Sequence, residues 1–133
     1  MDFYATSPTA ITRLLEKHQI PRMPIWEIMA GEGNLEKPLE AAGYTVITSD
    51  IVERREKLDY VEDFFTTTEL RAPIILTNPA YSIAMETVLH SIELGAEYIY
   101  MFLKTTFLEG QKRYEQLFSL YPPKEIWVFS GRE

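Results

Sequence analysis

The sequence contains no cysteine, which excludes disulfides, thiolate metal sites and cysteine nucleophiles together. It contains no apolar run near the roughly 18–20 uncharged residues that span a bilayer, and it does not open on a basic segment followed by an apolar one. These features predict a soluble, unprocessed protein of the cytoplasm, a reducing compartment in which disulfides are rare. At 133 residues the chain fits a single domain over residues 1–133, with one core.

Positive charge is also scarce, with 13 Lys and Arg against 20 Asp and Glu and a net charge of −7. This balance argues against a nucleic-acid partner, because neutralising phosphates normally takes a basic surface. Residues 1–70 carry 7 basic and 13 acidic side chains (net −6), whereas residues 71–133 carry 6 and 7 (net −1). The second half could therefore form a local basic patch from Lys104, Lys112, Arg113, Lys124 and Arg132. Scattered, solvated charges explain these residues equally well.

Glycine patterns for phosphate binding are incomplete. No Gly-Lys pair followed by Ser or Thr occurs, which disfavours an ATPase-type phosphate loop, and Gly31-Glu32-Gly33 lacks the third glycine of a dinucleotide fingerprint. Gly-x-Gly alone is a weak signal. It gains weight because Asp50 closes the next predicted strand about 20 residues later, where parallel-sheet nucleotide-binding folds place an acid on ribose hydroxyls.

Short strands and helices alternate along the chain, which predicts an α/β fold with a mostly parallel sheet flanked by helices. The predicted strands cover residues 24–29, 45–50, 60–63, 73–77, 97–103 and 125–129, and the predicted helices cover residues 8–18, 35–42, 85–94 and 108–119. His18 and His90 fall on helices, where a solvated or partly packed imidazole is the simplest interpretation. No metal site is visible. Most aromatic residues are expected in the core, with Phe64 as the exception.

The tetrapeptide Asn78-Pro79-Ala80-Tyr81 follows the apolar strand predicted at residues 73–77. Asn78 offers a side-chain carbonyl, Pro79 offers a backbone carbonyl, and the Tyr81 ring offers a flat face for stacking. Two such acceptors suit the hydrogens of a planar amino group, such as the adenine amine. An ordinary strand-to-helix turn also explains the tetrapeptide taken alone, since Asn and Pro are common turn residues.

Together these motifs resemble the S-adenosylmethionine-dependent N6-adenine DNA methyltransferases, particularly the small phage and prophage type. The resemblance covers nearly the whole chain and depends on the order and strand-end placement of its parts: residues 3–8, residues 27–33, Asp50, Asp63-Phe64 and residues 78–81. It implies a Rossmann-like class I methyltransferase fold. The family usually has a second proline where this chain has Ala80, and we expect little effect, because the Pro79 carbonyl and the Tyr81 ring do the described work.

The resemblance implies that S-adenosylmethionine is the cofactor and that its methionine end contacts two segments. Tyr4, Thr6 and Pro8 belong to the first of these segments. Glu27, in the second, would bind the cofactor's ammonium group.

For the rest of the cofactor, the resemblance implies that Gly31 and Gly33 let the backbone pass close to it. Asp50 would accept hydrogen bonds from both ribose hydroxyls, Asp63 would accept one from the adenine amino group, and Phe64 would lie beside the adenine ring. A helix N-cap or a solvated loop charge is the competing interpretation of each acid.

For catalysis the resemblance implies a flipped-out DNA adenine whose amine hydrogens are held by Asn78 and the Pro79 carbonyl while Tyr81 stacks on the base. Methylation at cytosine carbon 5 is excluded, because those enzymes use a cysteine nucleophile. Two other functions remain open. One is methylation of another planar nitrogen, in a protein glutamine or an RNA base; the other is a non-catalytic binding module of the same fold.

The sequence shows no segment that would recognise a particular DNA sequence. The interval between Asp63 and Asn78 is too short for a target-recognition domain, and little sequence follows residues 125–129. The family fold has an antiparallel seventh strand between the fifth and sixth, so here either the sheet closes differently or a segment is missing. An unpaired strand edge invites association, which predicts a homodimer or a partner subunit that supplies recognition.

Overall fold

The computed structural model describes residues 9–53 and 58–128 and shows a five-stranded, all-parallel sheet flanked by helices. The strands are β1 (Ile25–Glu27), β2 (Val46–Asp50), β3 (Tyr60–Val61), β4 (Ile74–Thr77) and β5 (Tyr98–Met101). The α-helices are α1 (Thr9–Lys17), α2 (Glu36–Ala41), α3 (Ala84–Leu94) and α4 (Gln111–Arg113). The predicted α/β class is therefore confirmed, and the architecture is compatible with a Rossmann-like fold.

The strands lie in the order β3-β2-β1-β4-β5, with β1 at the centre of the sheet. The chain moves outward from β1 to β3 and then returns to the other side of β1 for β4 and β5. Ile25 of β1 pairs in register with Val46 of β2 on one side and with Ile74 of β4 on the other. Open parallel sheets bind ligands at the carboxyl ends of the strands where the strand order reverses, and in this sheet that point lies between β1 and β4.

Two apolar clusters cover the two faces of β1 and β4, because successive strand residues point to opposite faces. Ile25 and Leu76 pack in a cluster with residues of α1 and α2, whereas Trp26 and Ile75 pack in a second cluster that includes Phe64. Trp26 is fully buried, and its indole nitrogen donates a hydrogen bond to the Ser49 hydroxyl over 3.0 Å. Both central strands are buried throughout, as is typical of parallel sheets covered by other elements.

The predicted helix ends agree with the structure where the sequence has strong stop signals. Gly95 adopts a left-handed conformation (φ 91°) directly after α3, as the predicted stop requires. Pro38 lies in the first turn of α2, where the missing amide hydrogen is tolerated.

His18 and His90 are partly packed imidazoles: His18 Nε2 lies 2.8 Å from the Tyr100 hydroxyl, and His90 Nε2 lies 2.9 Å from the Thr67 carbonyl oxygen.

The strand predicted at residues 125–129 is wrong over residues 125–128, which form no strand; residue 129 lies outside the described residues. A β-strand needs a neighbouring strand for its backbone hydrogen bonds. Residues 125–128 do not pair with β5, whose only partner in the described sheet is β4. Residues 125–128 instead lie near His18, with the Trp127 ring centroid 5.9 Å from the imidazole centroid. Three apolar side chains of this segment are consequently exposed: Ile126, Trp127 and Val128.

The helix predicted at residues 108–119 begins later and is less regular than expected. A 3₁₀ turn covers Thr105–Leu108, and α4 begins only after Gly110, whose φ of 104° is incompatible with a continuous helix. A π-helical turn, Tyr114–Phe118, then completes the segment. The break at Gly110 matters for the functional site, because it directs Arg113 toward Tyr81.

The expected placement of the aromatic residues needs correction in both directions. Phe64 is buried, with 3% of its surface exposed, so it packs as a core residue. Four aromatic residues expected in the core are instead exposed: Phe65, Tyr98, Tyr114 and Trp127. Three of these four come from β5 or from the chain that follows it, where the described chain places no further strand against the sheet.

Candidate functional site

The glycine loop after β1 is tied directly to the end of β2. Gly31 has a positive φ of 55°, and its amide donates a hydrogen bond of 2.8 Å to Asp50 Oδ2. The second oxygen, Oδ1, accepts from the Ile51 amide over 2.7 Å. Asp50 is 7% exposed, and each carboxylate oxygen keeps a lone pair for a further donor. The glycine loop and the acid at the end of β2, which the sequence relates only by their spacing, therefore lie together.

Gly33 connects the same loop to α2. Its φ is 92°, a conformation that favours glycine, and its amide donates to the Ala30 carbonyl over 3.0 Å. The Gly33 carbonyl in turn accepts from the Lys37 amide over 3.2 Å. The loop therefore makes a tight turn and runs directly into the helix.

Glu27 is a buried acid at the carboxyl end of the central strand. It is 2% exposed, and its Oε1 accepts a hydrogen bond of 2.9 Å from the Met29 amide. Burial, assisted by the nearby carboxylates of Asp50 and Glu36, raises the pKa of Glu27 to about 8. The Met29 amide opposes this rise, and the carboxyl is still largely protonated at neutral pH.

Thr77 is a site residue that the sequence reasoning missed. It ends β4, next to β1 in the sheet, and its side chain is fully buried. Its hydroxyl oxygen makes no hydrogen bond of full geometry within the described residues. The hydroxyl nevertheless faces Glu27 and lowers the pKa of its carboxyl, against the effect of burial. The signal was available, since neighbouring parallel strands bring their last residues together.

Asp63 and Phe64 lie just past β3, at the same edge of the sheet. Asp63 Oδ1 accepts from the Phe65 amide over 2.9 Å, so Asp63 caps the short 3₁₀ turn Phe64–Thr66. The Phe64 ring packs edge-on against Trp26 and against His90, with centroid distances of 5.6 and 4.8 Å. Both residues thus have structural roles, and the cofactor contacts that the resemblance implies for them remain predictions.

The tetrapeptide leaves β4 at the point where the strand order reverses. Asn78 directly follows the buried Thr77, Pro79 is buried, and Tyr81 begins a 3₁₀ turn, Tyr81–Ile83, that leads into α3. The Tyr81 ring is half-buried and meets the Phe107 ring edge-on, with centroids 6.3 Å apart. The tetrapeptide is therefore a strand-to-helix connection, which is one of the two interpretations that the sequence allows. It also lies where a ligand site is expected.

Arg113 is the second site residue that the sequence did not single out as such. Its Nη2 donates a hydrogen bond of 2.8 Å to the Tyr81 hydroxyl, and its guanidinium carbon lies 5.2 Å from the Tyr81 ring centroid. Its Nε donates to the Glu109 carbonyl over 2.8 Å. No sequence signal predicts this contact, because it joins residues 32 positions apart through a side-chain conformation.

The structure therefore brings two groups of predicted residues to one edge of the sheet. The first belongs to the cofactor prediction: Glu27, Gly31, Gly33, Asp50 and Asp63. The second is the tetrapeptide with its added neighbours, Thr77 and Arg113. Tyr4, Thr6 and Pro8 lie outside the described residues.

A small cavity of about 150 Å³ lies at the opposite, amino-terminal ends of β1 and β2. The Arg22 guanidinium covers the Tyr44 ring there, 4.2 Å from its centroid, and donates to the Ala42 carbonyl over 2.8 Å. These contacts account for the position of Arg22, and the cavity is remote from the acids and the tetrapeptide.

Comparisons with protein-family models, with curated proteins and with solved structures found no match for this chain. Among the described residues, no group of three or more His, Asp or Glu side chains could hold a metal ion. None of the helices in the described part of the chain has the length and apolar character that a membrane crossing needs.

Proposed function

We propose that the protein transfers a methyl group from S-adenosylmethionine to the N6 amino group of adenine in DNA. The observation that carries this proposal is the position of Asn78-Pro79-Ala80-Tyr81 directly after β4, at the reversal of strand order and next in the chain to Thr77, which faces the buried Glu27 of β1. A pair of carbonyl acceptors and an aromatic ring at this point suits an amine on a flat base.

The chemistry of the described residues fits the cofactor. Glu27 is a buried carboxyl, and its neighbours Asp50 and Glu36 are both negatively charged. A cationic ammonium group would therefore relieve the repulsion between these acids. The Thr77 hydroxyl, which makes no hydrogen bond of full geometry within the described residues, faces the Glu27 carboxyl. Asp50 keeps acceptor capacity for ribose hydroxyls, and Asp63 lies at the same edge. When bound, S-adenosylmethionine supplies an electrophilic methyl group on a sulfonium.

The role of the chain's own residues follows from the weakness of an aromatic amine as a nucleophile. Its lone pair is delocalised into the ring until the nitrogen becomes more tetrahedral. Asn78 and the Pro79 carbonyl would accept the two amine hydrogens and favour that geometry, while Tyr81 stacks on the extruded base, a contact worth about 1–3 kcal/mol. Catalysis is then mostly positioning and electrostatic stabilisation.

Methyl transfer from isotope-labelled S-adenosylmethionine to DNA, RNA or the proteins of a cell extract tests the proposal. We expect label in DNA as N6-methyladenine. Label in RNA or protein without label in DNA would contradict the leading proposal and support methylation of another planar nitrogen, which the net charge of −7 favours. Cofactor binding without any transfer would support a non-catalytic module.

Calorimetry tests the cofactor prediction separately from catalysis. We expect the chain to bind S-adenosylmethionine and the Asp50→Ala variant to bind it about 10- to 100-fold more weakly, because the variant loses charge-assisted hydrogen bonds to the ligand. Glu40→Gln, which removes an exposed carboxylate on α2, is the matched control and should bind like the wild type. No heat from the intact chain would overturn the cofactor prediction.

We also propose a homodimer, or a partner subunit that supplies recognition, at the open edge of β5. In the described sheet β5 pairs with β4 alone, and Tyr98 at its start is 40% exposed. Light scattering should show concentration-dependent association that Tyr98→Lys weakens, because a charge on an edge strand opposes strand pairing. Tyr114→Lys changes an exposed tyrosine away from the strand and serves as the control. A strict monomer at high concentration would contradict a homodimer.

A further inference from the structure

Arg113 reaches the aromatic ring of the tetrapeptide from a distant part of the chain. Its Nη2 lies 2.8 Å from the Tyr81 hydroxyl oxygen, and its guanidinium carbon lies 5.2 Å from the Tyr81 ring centroid and 5.4 Å from that of Phe107. The guanidinium therefore lies beside the hydroxyl end of the Tyr81 ring, which the proposed function stacks on the substrate base.

Within the described residues, the hydrogen bonds that hold this guanidinium involve no carboxylate. Its acceptors are the Tyr81 hydroxyl and the carbonyls of Glu109 and Thr106, all of which are neutral. Nη1 donates to no residue within 9–53 and 58–128. A planar guanidinium with an unused nitrogen suits a phosphate oxygen particularly well.

The charge around Arg113 is also unusual for this acidic chain. Residues 104–113 carry three basic side chains (Lys104, Lys112 and Arg113) and one acidic side chain (Glu109), a local net of +2 within a chain of net charge −7. This local excess lies in the segment that folds back onto Tyr81. It favours an anionic ligand at this place.

The backbone makes room for the arginine in advance. Gly110 has a φ of 104°, and a Cβ added there would approach Arg113 Nη2 to 3.3 Å and Cζ to 3.6 Å. Together with the bond from Nε to the Glu109 carbonyl, this arrangement fixes the side chain before any ligand binds. A fixed cation loses less conformational entropy on binding than a mobile one.

We infer that Arg113 bridges the Tyr81 hydroxyl and a backbone phosphate next to the target base, so that the substrate is a nucleic-acid strand and not a glutamine side chain. This inference rests on the proposed function, and it assigns to Arg113 a binding role at the same site. A nucleotide brings phosphates on both sides of its sugar, whereas a glutamine side chain brings no anion. Arg113 thus offsets the acidic net charge at the one place where a phosphate must approach.

A chemical double-mutant cycle tests the bridge. Two adenine-containing single-stranded DNA oligonucleotides are compared, one natural and one with uncharged methylphosphonates at both phosphates that flank the adenine. We expect the methylphosphonates to lower kcat/KM and binding affinity of the wild type about tenfold, the effect of one lost charge-assisted hydrogen bond. In Arg113→Gln the same replacement should cost less than about twofold, because the partner is already absent.

Two further variants separate charge from structure. Arg113→Lys keeps the charge and should keep part of the methylphosphonate effect, and Lys124→Gln, an exposed change elsewhere, should keep all of it. Equal methylphosphonate effects in the wild type and Arg113→Gln would overturn the inference, since Arg113 would then act only on the protein's own structure. An RNA oligonucleotide pair of the same design tells whether the bridge serves both nucleic acids.

The outcomes also separate this inference from the proposed function. Methyl transfer to DNA without coupling between Arg113 and the phosphates supports the function and overturns the bridge. Coupling in binding, measured by fluorescence anisotropy, without methyl transfer supports the bridge and overturns the function. A wild type that neither binds nor methylates either natural strand overturns both.

Discussion

Asn78→Ala should lower kcat for methyl transfer about 10²- to 10³-fold, the usual cost of removing one preorganised polar group at a reacting atom. The side-chain carbonyl of Asn78 is one of two acceptors proposed for the amine hydrogens, and alanine leaves the Pro79 carbonyl to act alone. Cofactor affinity should stay within about twofold of the wild-type value, because the proposed cofactor residues in the described part of the chain lie on β1, in the loop after it, on β2 and after β3. Single-turnover transfer from labelled cofactor measures kcat, and calorimetry measures affinity.

Asn78→Asp is the matched control for this change. Aspartate has nearly the same shape and keeps an acceptor, so this variant should retain more activity than Asn78→Ala. Equal losses in both variants would indicate that the amide nitrogen of Asn78, and not its carbonyl, carries the function. Full activity in Asn78→Ala would remove the tetrapeptide from the mechanism.

The stability of the wild type should fall as pH rises from about 5 to 8, and Glu27→Gln should largely abolish this dependence. Burial raises the pKa of Glu27 from 4.5 to about 8, so the folded state holds a proton that the unfolded state releases. The stabilisation from this protonation is complete below the unfolded pKa of 4.5 and is lost as pH rises through the folded pKa of about 8. The slope approaches about 1.4 kcal/mol per pH unit and is smaller near each pKa, so the change between pH 5 and pH 8 is about 3–4 kcal/mol.

Urea unfolding at a series of pH values measures this effect as the difference in unfolding free energy between the wild type and Glu27→Gln. Glutamine keeps the size of the side chain and stays neutral at every pH, which isolates the proton. Glu40→Gln removes an exposed carboxylate and should leave the wild-type slope in place. Parallel curves for the wild type and Glu27→Gln would show that Glu27 titrates alike in the folded and unfolded states.

The sheet and half of the candidate site were predictable because they follow from local pattern and topology. Parallel strands end at one edge, so an acid at the end of β2 and a glycine loop after β1 must meet there, and Asp50 does hydrogen-bond to Gly31. The stop at Gly95 follows from local backbone preference. These features need no knowledge of side-chain packing.

The remaining features depend on partners that a local pattern does not contain. Residues 125–128 have strand-like composition but pair with no strand of the described sheet, although β5 has an open edge, and composition alone does not determine pairing. The motif predicts a cofactor contact for Phe64 but says nothing of its edge-on packing against Trp26 and His90. The bond between Arg113 and Tyr81 depends on the break at Gly110 and on one side-chain conformation.

The bond between the Gly31 amide and Asp50 Oδ2 has a consequence for dynamics. Because this bond closes the loop between β1 and α2 within the folded chain, the ordering of that loop takes place during folding and not at each binding event. A ligand at this edge would meet a rigid receptor, so its association should need no slow loop closure. Amide hydrogen exchange at Gly31 should accordingly be protected in the ligand-free protein and change little on saturation.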